Sequence, residues 1–313
     1  MSKLSPVKLS PAFKDYLWGG TKLKEKYNKK SDLEIVAESW EMSCHKDGQS
    51  TVISGDYKGK TLTEYVEKIG KELLGEKAQK FDYFPLLIKF IDAKDNLSIQ
   101  VHPADDYALR VEGEYGKTEM WYVLEAEEGA YLYYGFNRDI TKEEFSQRIK
   151  NNTILEVLNK VNVKSGDVFF IDAGTVHAIG AGLMICEIQQ NSNTTYRVYD
   201  YDRRDKDGNA RPLHIEKAIE VSKLTKAPEI TKSDDDILAS CEYFTVKKAM
   251  VNGEKTLKID ESSFVSLIIV SGAGKIRLGD DELLVEKGDS IFVPAQDGEI
   301  VICGELEVIV SSL

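Results

Sequence analysis

The sequence lacks the features of secreted and membrane proteins. Cysteine is scarce, and its four residues are scattered without a Cys-x-x-Cys pair: Cys44, Cys186, Cys241 and Cys303. This usage indicates reduced, mostly buried thiols in a cytosolic protein. Residues 1–20 contain no basic region followed by an apolar core, so we expect no signal peptide. No run approaches the roughly 18 apolar residues of a membrane span, and we therefore expect a cytoplasmic protein that does not bind membranes.

Positive charge is also in short supply. The sequence has 41 Lys and Arg residues against 53 Asp and Glu residues, a net charge of −12. This balance argues against general binding to nucleic acid or to an acidic membrane surface. It does not exclude a small anionic substrate, because a local basic pocket can lie in an acidic protein. The length of 313 residues, 42% of them hydrophobic, is enough for two domains or one large domain with a core.

Most of the chain shows short strand patterns separated by turn residues, which favours a β-barrel or sandwich. Two insertions, at about residues 61–75 and 141–160, each begin with a capping box and predict short helices. The second insertion includes a separate short helix predicted at residues 154–159. Another helix is predicted over residues 212–224. The sequence therefore predicts a mainly β fold with a few helices.

Two segments of the chain resemble each other. Residues 166–173 and 288–295 both begin with Gly-Asp, continue as an apolar strand, and end with Ala before a loop. Continued without gaps, the alignment places His177 opposite Glu299, and the second segment has no Gln-x-His pair. We therefore expect the same fold twice, with a metal site only in the first copy.

A short run at residues 97–103, Leu-Ser-Ile-Gln-Val-His-Pro, carries the first sign of chemistry. On a strand, Gln100 and His102 point to the same face because side chains alternate. A carboxylate follows at Glu119, and a second imidazole at His177. Together these four side chains can hold a divalent metal, and the donor set suits zinc among others. The alternative is that they are ordinary polar residues on strands.

Three further charged residues lie in or beside apolar strands. Lys89 interrupts the run Leu-Leu-Ile-Lys-Phe-Ile, where it is either an exposed edge residue or an inward functional one. Arg197 follows Glu187 by ten residues, and the polar residues 189–193 between them predict a loop at the mouth of the barrel. Both side chains can then face the metal, although a structural Arg197–Glu187 ion pair is the alternative.

A family resemblance appears in these residues. Residues 166 and 174–177 resemble the second signature of the cupin barrels, with Asp172 at the usual proline position. More closely, the chain resembles the type I mannose-6-phosphate isomerases in their short bacterial form. The matching fragments run nearly end to end, at residues 18–20, 38–40, 84–89, 97–103, 117–122, 173–180 and 187–197. Thr118 replaces a proline usual in the family, which leaves Lys117 and Glu119 in place.

The resemblance implies a fold and a site. The fold is two cupin-type jelly-roll barrels, a metal-binding catalytic domain over residues 1–235 and a degenerate one over residues 236–313. One Zn²⁺ per chain is implied, and we expect a monomer or weak homo-oligomer. The implied metal ligands are Gln100, His102, Glu119 and His177. The implied substrate-binding residues are Lys89, Ser98, Lys117 and Arg197, and the implied catalytic residues are Arg197, Glu187 and Lys117.

The implied activity is the interconversion of mannose 6-phosphate and fructose 6-phosphate through a cis-enediol. The base that moves the proton is left open between Glu187, a lysine and a metal-bound water. Two other functions remain as alternatives: a cupin dioxygenase with iron at the same ligands, and a non-catalytic sugar-phosphate-binding protein. The two remaining histidines, His45 and His214, match no ligand position and are expected to be structural or exposed.

Overall fold

A computed structural model describes residues 4–204, 207–229 and 236–313. Antiparallel strands are the main regular structure in these ranges and far outnumber the helices, which confirms the mainly β fold class. The strands are β1 (Val7–Ser10), β2 (Ala12–Lys14), β3 (Glu38–Met42), β4 (Cys44–His45), β5 (Gly48–Gln49), β6 (Thr51–Val52), β7 (Leu86–Ala93), β8 (Ile99–Val101), β9 (Glu119–Ala126), β10 (Tyr131–Phe136), β11 (Leu158–Asn162), β12 (Val168–Ile171), β13 (His177–Ile179), β14 (Leu183–Gln190), β15 (Tyr196–Tyr199), β16 (Ile237–Ser240), β17 (Thr245–Ile259), β18 (Val265–Leu278), β19 (Asp281–Glu286), β20 (Ser290–Val293) and β21 (Gly298–Ser312).

The helices are short and lie between strands. They are α1 (Lys22–Lys26), α2 (Leu62–Ile69), α3 (Asp105–Val111), α4 (Lys142–Lys150) and α5 (Ile215–Val221), with 3₁₀ turns at Lys71–Leu74, Glu76–Lys80 and Ile154–Val157. The predicted capping box at Thr61 and Glu64 is confirmed, and it starts α2. No helix in the described part of the chain combines the length and the apolar character needed to span a membrane.

Both predicted insertions are less helical than expected. Gly70, with φ 114°, ends α2 and divides the first insertion into a helix and 3₁₀ turns. In the second insertion the helix predicted over residues 154–159 is wrong. It is a 3₁₀ turn followed by β11, because Val161 pairs with Leu132 of β10 in an antiparallel ladder. Sheet pairing thus overrides the local pattern of this segment.

Two sheets face each other in the first part of the chain. The five-stranded sheet has the order β11-β10-β13-β8-β15, and the six-stranded sheet has the order β12-β9-β14-β7-β3-β2. Inward residues of both, such as Leu132 and Ile179 from one and Trp121 and Ile91 from the other, form one core. This pair of packed sheets is the arrangement of a jelly roll. The helices α4 and α5 cover the outer face of the five-stranded sheet.

The outer face of the six-stranded sheet packs on a third, eight-stranded sheet. This C-terminal sheet has the order β16-β17-β21-β18-β20-β1-β6, with β19 beside β18. Because strand residues alternate in direction, Met120 and Tyr122 point to the C-terminal sheet while Trp121 points inward. The N-terminal strand β1 pairs with β20, so the two ends of the chain share one sheet. The predicted domain boundary at residue 235 lies outside the described residues and stays a prediction.

The two similar segments noted in the sequence have the predicted local structure. Gly166 and Gly288 have φ values of 86° and 94°, a left-handed conformation that glycine adopts without strain. Each turn leads into a four-residue strand, β12 and β20 respectively. The predicted turn-and-strand unit is therefore confirmed at both places.

Candidate metal centre and substrate pocket

Two histidines and a carboxylate meet between the facing sheets. His102 follows β8, Glu119 opens β9, and His177 opens β13. His177 Nε2 lies 3.3 Å from one oxygen of Glu119, and His102 Nε2 lies 3.7 Å from the other. The three candidate ligand atoms all lie within 4.8 Å of one another, and each residue is at most 1% exposed. The structure therefore brings together three of the four predicted metal ligands in one buried group.

Gln100 joins this group through the strand register. It lies directly opposite His177 in the antiparallel pairing of β13 and β8, so both side chains point to the same face. The side-chain amide of Gln100 lies 3.5 Å from His177 Nε2. The same-face relation of Gln100 and His102 predicted from the strand period agrees with this arrangement, in which Gln100 contacts His177 and His102 lies beside Glu119.

Hydrogen bonds fix the tautomer of each histidine. His102 Nδ1 donates to the carbonyl oxygen of Thr194, and His177 Nδ1 donates to that of Thr175, each at 2.8 Å. A carbonyl can only accept, so the proton of each ring is on Nδ1 and the Nε2 lone pair faces Glu119. Burial lowers the pKa of His177 to about 4 and holds the pKa of His102 well below its usual range, so both imidazoles are neutral.

The donor set fits a divalent metal. Two imidazole lone pairs and a carboxylate converge, and Glu119 Oε1 is a buried oxygen without a hydrogen-bond donor. Metal-bound histidines in proteins usually donate their other ring N–H to a carbonyl or carboxylate, as both rings do here. Burial raises the pKa of Glu119 to about 8 against the opposing charge of Lys117. A bound cation reverses this effect because it favours the ionised carboxylate.

Beside the metal group, two lysines face a row of carboxylates. Lys89, Glu187 and Trp121 lie opposite one another across β7, β14 and β9. Lys89 Nζ lies 3.4 Å from Glu187 and 3.6 Å from Glu38. Its inward position in the apolar strand therefore has an electrostatic reason, and the edge alternative is wrong, since Lys89 is only 3% exposed.

Lys117 links this row to the metal group. Its Nζ lies 2.5 Å from Glu119 Oε2, 3.2 Å from His102 Nε2 and 3.7 Å from Glu187 Oε1. Burial alone would raise the pKa of Glu187, but Lys117 and Lys89 outweigh burial and lower it to about 2. Two ammonium groups thus face three carboxylates, Glu38, Glu119 and Glu187. Of these three, Glu119 is the one whose pKa burial raises, so it is the carboxyl that a bound cation would convert to its charged form.

The pocket extends from this inner end to the surface and has a volume of about 250 Å³. Of the predicted site residues, Lys89, Ser98, Gln100, Lys117, Glu187 and Arg197 line it. Sequence reasoning gave no role to several other lining residues, chiefly Tyr16, Trp18, Glu38, Asn193, Thr195 and Arg211. Trp18 and Glu38 belong to fragments that carried the family resemblance. Arg211 lies in a charged loop without any local signal.

Arg197 lies on β15, directly opposite Gln100 in the antiparallel pairing of β15 with β8. Its Nε donates to Ser98 Oγ at 3.3 Å and its Nη1 to the carbonyl oxygen of Pro212 at 2.9 Å. Glu187 instead contacts Lys89, Lys117 and Trp121. The Arg197–Glu187 ion pair considered from the sequence is therefore wrong.

The mouth of the pocket is positively charged. Arg211 donates to Asp200 through two bonds of 2.7 and 2.6 Å, and Arg203 donates to the same carboxylate. Burial and then the charge of Arg211 lower the pKa of Arg197, with a smaller effect from Arg203. Arg197 and Arg211 line the pocket, and with Arg203 next to them the three guanidinium groups exceed the one carboxylate of Asp200 by two charges. This end of the pocket suits a doubly charged anion, which arginine binds through paired hydrogen bonds.

The polar segment 189–193, predicted as a loop at the mouth of the barrel, is partly strand and largely buried. Gln189 and Gln190 end β14, and both are buried together with Asn191 and Ser192. The amide of Gln190 accepts from Thr118 N and donates to Asp105, which replaces the lost contacts with water. Only Asn193 from this segment lines the pocket.

Comparisons with known proteins agree with this geometry. Residues 7–131 match the family described as phosphomannose isomerase type I, catalytic domain, and residues 235–313 match mannose-6-phosphate isomerase, cupin domain. The chain is 40% identical to mannose-6-phosphate isomerase ManA of Bacillus subtilis, over 98% of this chain and 99% of the relative.

Solved structures give the same result. A crystal structure of mannose 6-phosphate isomerase from Bacillus subtilis has a TM-score of 0.91 and 37% identity, covering 99% of this chain and all of that one. A more distant crystal structure, a zinc-bound mannose 6-phosphate isomerase, shares the fold at 20% identity with a TM-score of 0.80, over 98% of this chain and 99% of that one. These matches confirm the family resemblance and the cupin-type fold class.

The metal group makes a direct prediction. Replacing Glu119 by Gln removes the only carboxylate of the group while keeping its shape, and we expect zinc affinity to fall at least about 100-fold. The measurement is competition with a chelator of known affinity. Glu67→Gln, at an exposed helix position, serves as the control and should bind like wild type. Equal zinc affinity for Glu119→Gln and wild type would show that this group does not hold the metal.

Proposed function

The chain belongs to the type I phosphomannose isomerase family, and on that premise we propose that it interconverts mannose 6-phosphate and fructose 6-phosphate with one zinc ion. Gln100, His102, Glu119 and His177 are the proposed zinc ligands. One observation carries the proposal: a single pocket is lined at one end by Gln100 and Lys117, which contact His177 and Glu119 of the metal group, and at its mouth by Arg197 and Arg211. This spacing suits a substrate with reacting oxygens at one end and a phosphate at the other.

The reaction moves one proton between adjacent carbons. A proton leaves C2 of the aldose while O1 gains one, which gives the cis-enediol. A proton then returns to C1 while O2 loses one, which gives the ketose. When bound, zinc supplies a Lewis acid that stabilises negative charge on the sugar oxygens O1 and O2. The chain's own residues must remove the proton, return it, and hold the substrate in place.

We assign Glu187 as the proton acceptor. The charges of Glu38 and Glu187 outweigh burial and raise the pKa of Lys89, so its ammonium keeps its proton and cannot act as a base. The ammonium of Lys117 donates hydrogen bonds to Glu119 and His102, so Lys117 is also not the proton acceptor. Glu187 is ionised, lines the pocket, and has one buried oxygen without a hydrogen-bond donor. The two lysines then stabilise the developing oxyanion and hold Glu187 in position.

The arginine cluster is the proposed phosphate end. Arg197 and Ser98 form a hydrogen-bonded pair in the wall of the pocket, and Arg211 lies beside them. Their charge matches a phosphate dianion, and paired N–H groups match its geometry. Lys89 also lines the pocket, and its contacts with Glu38 and Glu187 support a substrate-binding role for it nearer the reacting end. Binding energy from the phosphate can orient the reacting carbons.

The activity is tested by a coupled assay with mannose 6-phosphate. We expect turnover that a chelator abolishes and that added Zn²⁺ restores, because the metal group is the only proposed source of Lewis-acid chemistry. Oxygen uptake is measured in parallel. Substrate binding without turnover would favour the binding-protein alternative, oxygen consumption would favour the dioxygenase, and full activity in chelator would contradict the role of zinc.

The base is tested by Glu187→Gln, which keeps the shape of the side chain. We expect kcat to fall about 10²- to 10⁴-fold, the usual contribution of a positioned base, with zinc content unchanged. Glu38→Gln is the matched control, because it removes the other carboxylate beside Lys89. A loss of the same size in both variants would mean that charge balance at Lys89, and not proton transfer by Glu187, is responsible.

Arg197→Lys tests the phosphate end. Lysine keeps the charge but loses the forked geometry, so we expect normal folding, normal zinc content, and a 30- to 150-fold loss in kcat/KM, about 2–3 kcal/mol. Arg138→Lys, at an exposed ion pair with Glu144, is the control. Melting temperature and kcat/KM are measured on one preparation. A variant with lower stability but near-normal kcat/KM would show that Arg197 has only a structural role.

A further inference from the structure

The strand that carries Arg197 has one open edge. β15 is the last strand of the five-stranded sheet and pairs only with β8 there. Its register shifts between Arg197 and Tyr199, so the strand is irregular at the functional residue. An open, irregular edge leaves backbone groups without ladder partners. The position of Arg197 therefore depends on contacts from outside the sheet.

His214 supplies those contacts. Its backbone N–H donates to the carbonyl oxygen of Arg197 at 2.8 Å, and its ring nitrogen Nδ1 accepts from the backbone N–H of Arg197 at 3.1 Å. One residue thus satisfies both backbone groups of Arg197, as an additional strand would. Two residues earlier, the carbonyl oxygen of Pro212 accepts from the Arg197 guanidinium. The segment 212–214 therefore holds both the main chain and the side chain of Arg197.

The hydrogen bond from the backbone N–H of Arg197 to His214 Nδ1 requires a neutral imidazole. A protonated ring carries N–H groups on both nitrogens and cannot accept. The surroundings favour the neutral form: burial, followed by the charges of Arg197 and Lys217, lowers the pKa of His214, while Glu112 opposes them. The ring of Tyr196 lies beside the imidazole, with the two ring centroids 6.1 Å apart. His214 is therefore an acceptor at neutral pH.

We propose that His214 is a positioning residue for Arg197. Its two hydrogen bonds to the backbone of Arg197 clamp that residue on the open edge of β15, and so hold the Arg197 guanidinium at the mouth of the pocket. This inference rests on the proposed function, since it assigns no separate activity to His214. It gives a role to a histidine that matched no ligand position in the sequence. The role is indirect, because the ring contacts the backbone of Arg197 and not the substrate pocket.

Two replacements of His214 distinguish a loss of the clamp, which lowers kcat/KM, from a general loss of stability, which lowers the melting temperature. His214 precedes the first residue of α5, where Asn and Ser are both favourable. The side-chain oxygen of Asn is as many bonds from Cα as Nδ1 of His, whereas that of Ser is one bond closer and does not reach Arg197. We expect His214→Asn to keep kcat/KM within about 3-fold of wild type and His214→Ser to lose about 5- to 10-fold, the effect of one hydrogen bond. Both should keep the wild-type melting temperature.

A double-mutant cycle then tests whether the effect passes through Arg197. In an Arg197→Ala background, His214→Ser should change kcat/KM by less than about 2-fold, because the side chain it positions is gone. Additive losses, or a His214→Ser variant with wild-type kcat/KM, would overturn the clamp. An inactive wild-type holoenzyme would instead overturn the proposed function on which the clamp rests.

Discussion

The site depends on one electrostatic constraint, the burial of Glu119 against two neutral imidazoles. Neither imidazole can donate to the carboxylate, because the single N–H group of each neutral ring already donates to a backbone carbonyl oxygen. Burying a carboxylate without sufficient partners is costly, and Lys117 contacts only one of its oxygens. A divalent cation among the three side chains resolves this conflict. The folded chain therefore carries a buried carboxylate oxygen that lacks a donor and gains a partner when metal is bound.

The two facing sheets turn this constraint into a pocket with two ends. Across one sheet, the register aligns Lys89, Glu187 and Trp121, and across the other it aligns His177, Gln100 and Arg197. The first row supplies a carboxylate restrained by ammonium groups, and the second joins the metal group to the arginine cluster. The outer face of the six-stranded sheet packs on the C-terminal sheet, and the residues that line the pocket come from outside that sheet.

The sequence predicted what depends on local geometry or on family motifs. The strand period placed Gln100 and His102 on one face, and the resemblance added Glu119 and His177. Ion pairs that depend on how the strands and loops pack together could not be predicted from the sequence. Examples are Glu38 with Lys89, and Asp200 with Arg203 and Arg211. The polar residues 189–193 were predicted as a loop at the mouth of the barrel, yet Gln189 and Gln190 end β14, and the amides of Gln189 and Asn191 donate to backbone carbonyl oxygens. Similarly, β11 forms only because β10 lies beside it.

The central claim is that zinc occupies the inner end of the pocket while the substrate phosphate occupies its mouth. The most direct measurement is a crystal structure of the zinc-loaded protein with a hexitol 6-phosphate, recorded at the zinc absorption edge. The account predicts one anomalous peak about 2.0–2.2 Å from His102 Nε2, His177 Nε2 and Glu119, and a phosphate in contact with Arg197 and Arg211. A zinc peak outside this group, or a phosphate bound away from the arginine cluster, would contradict it.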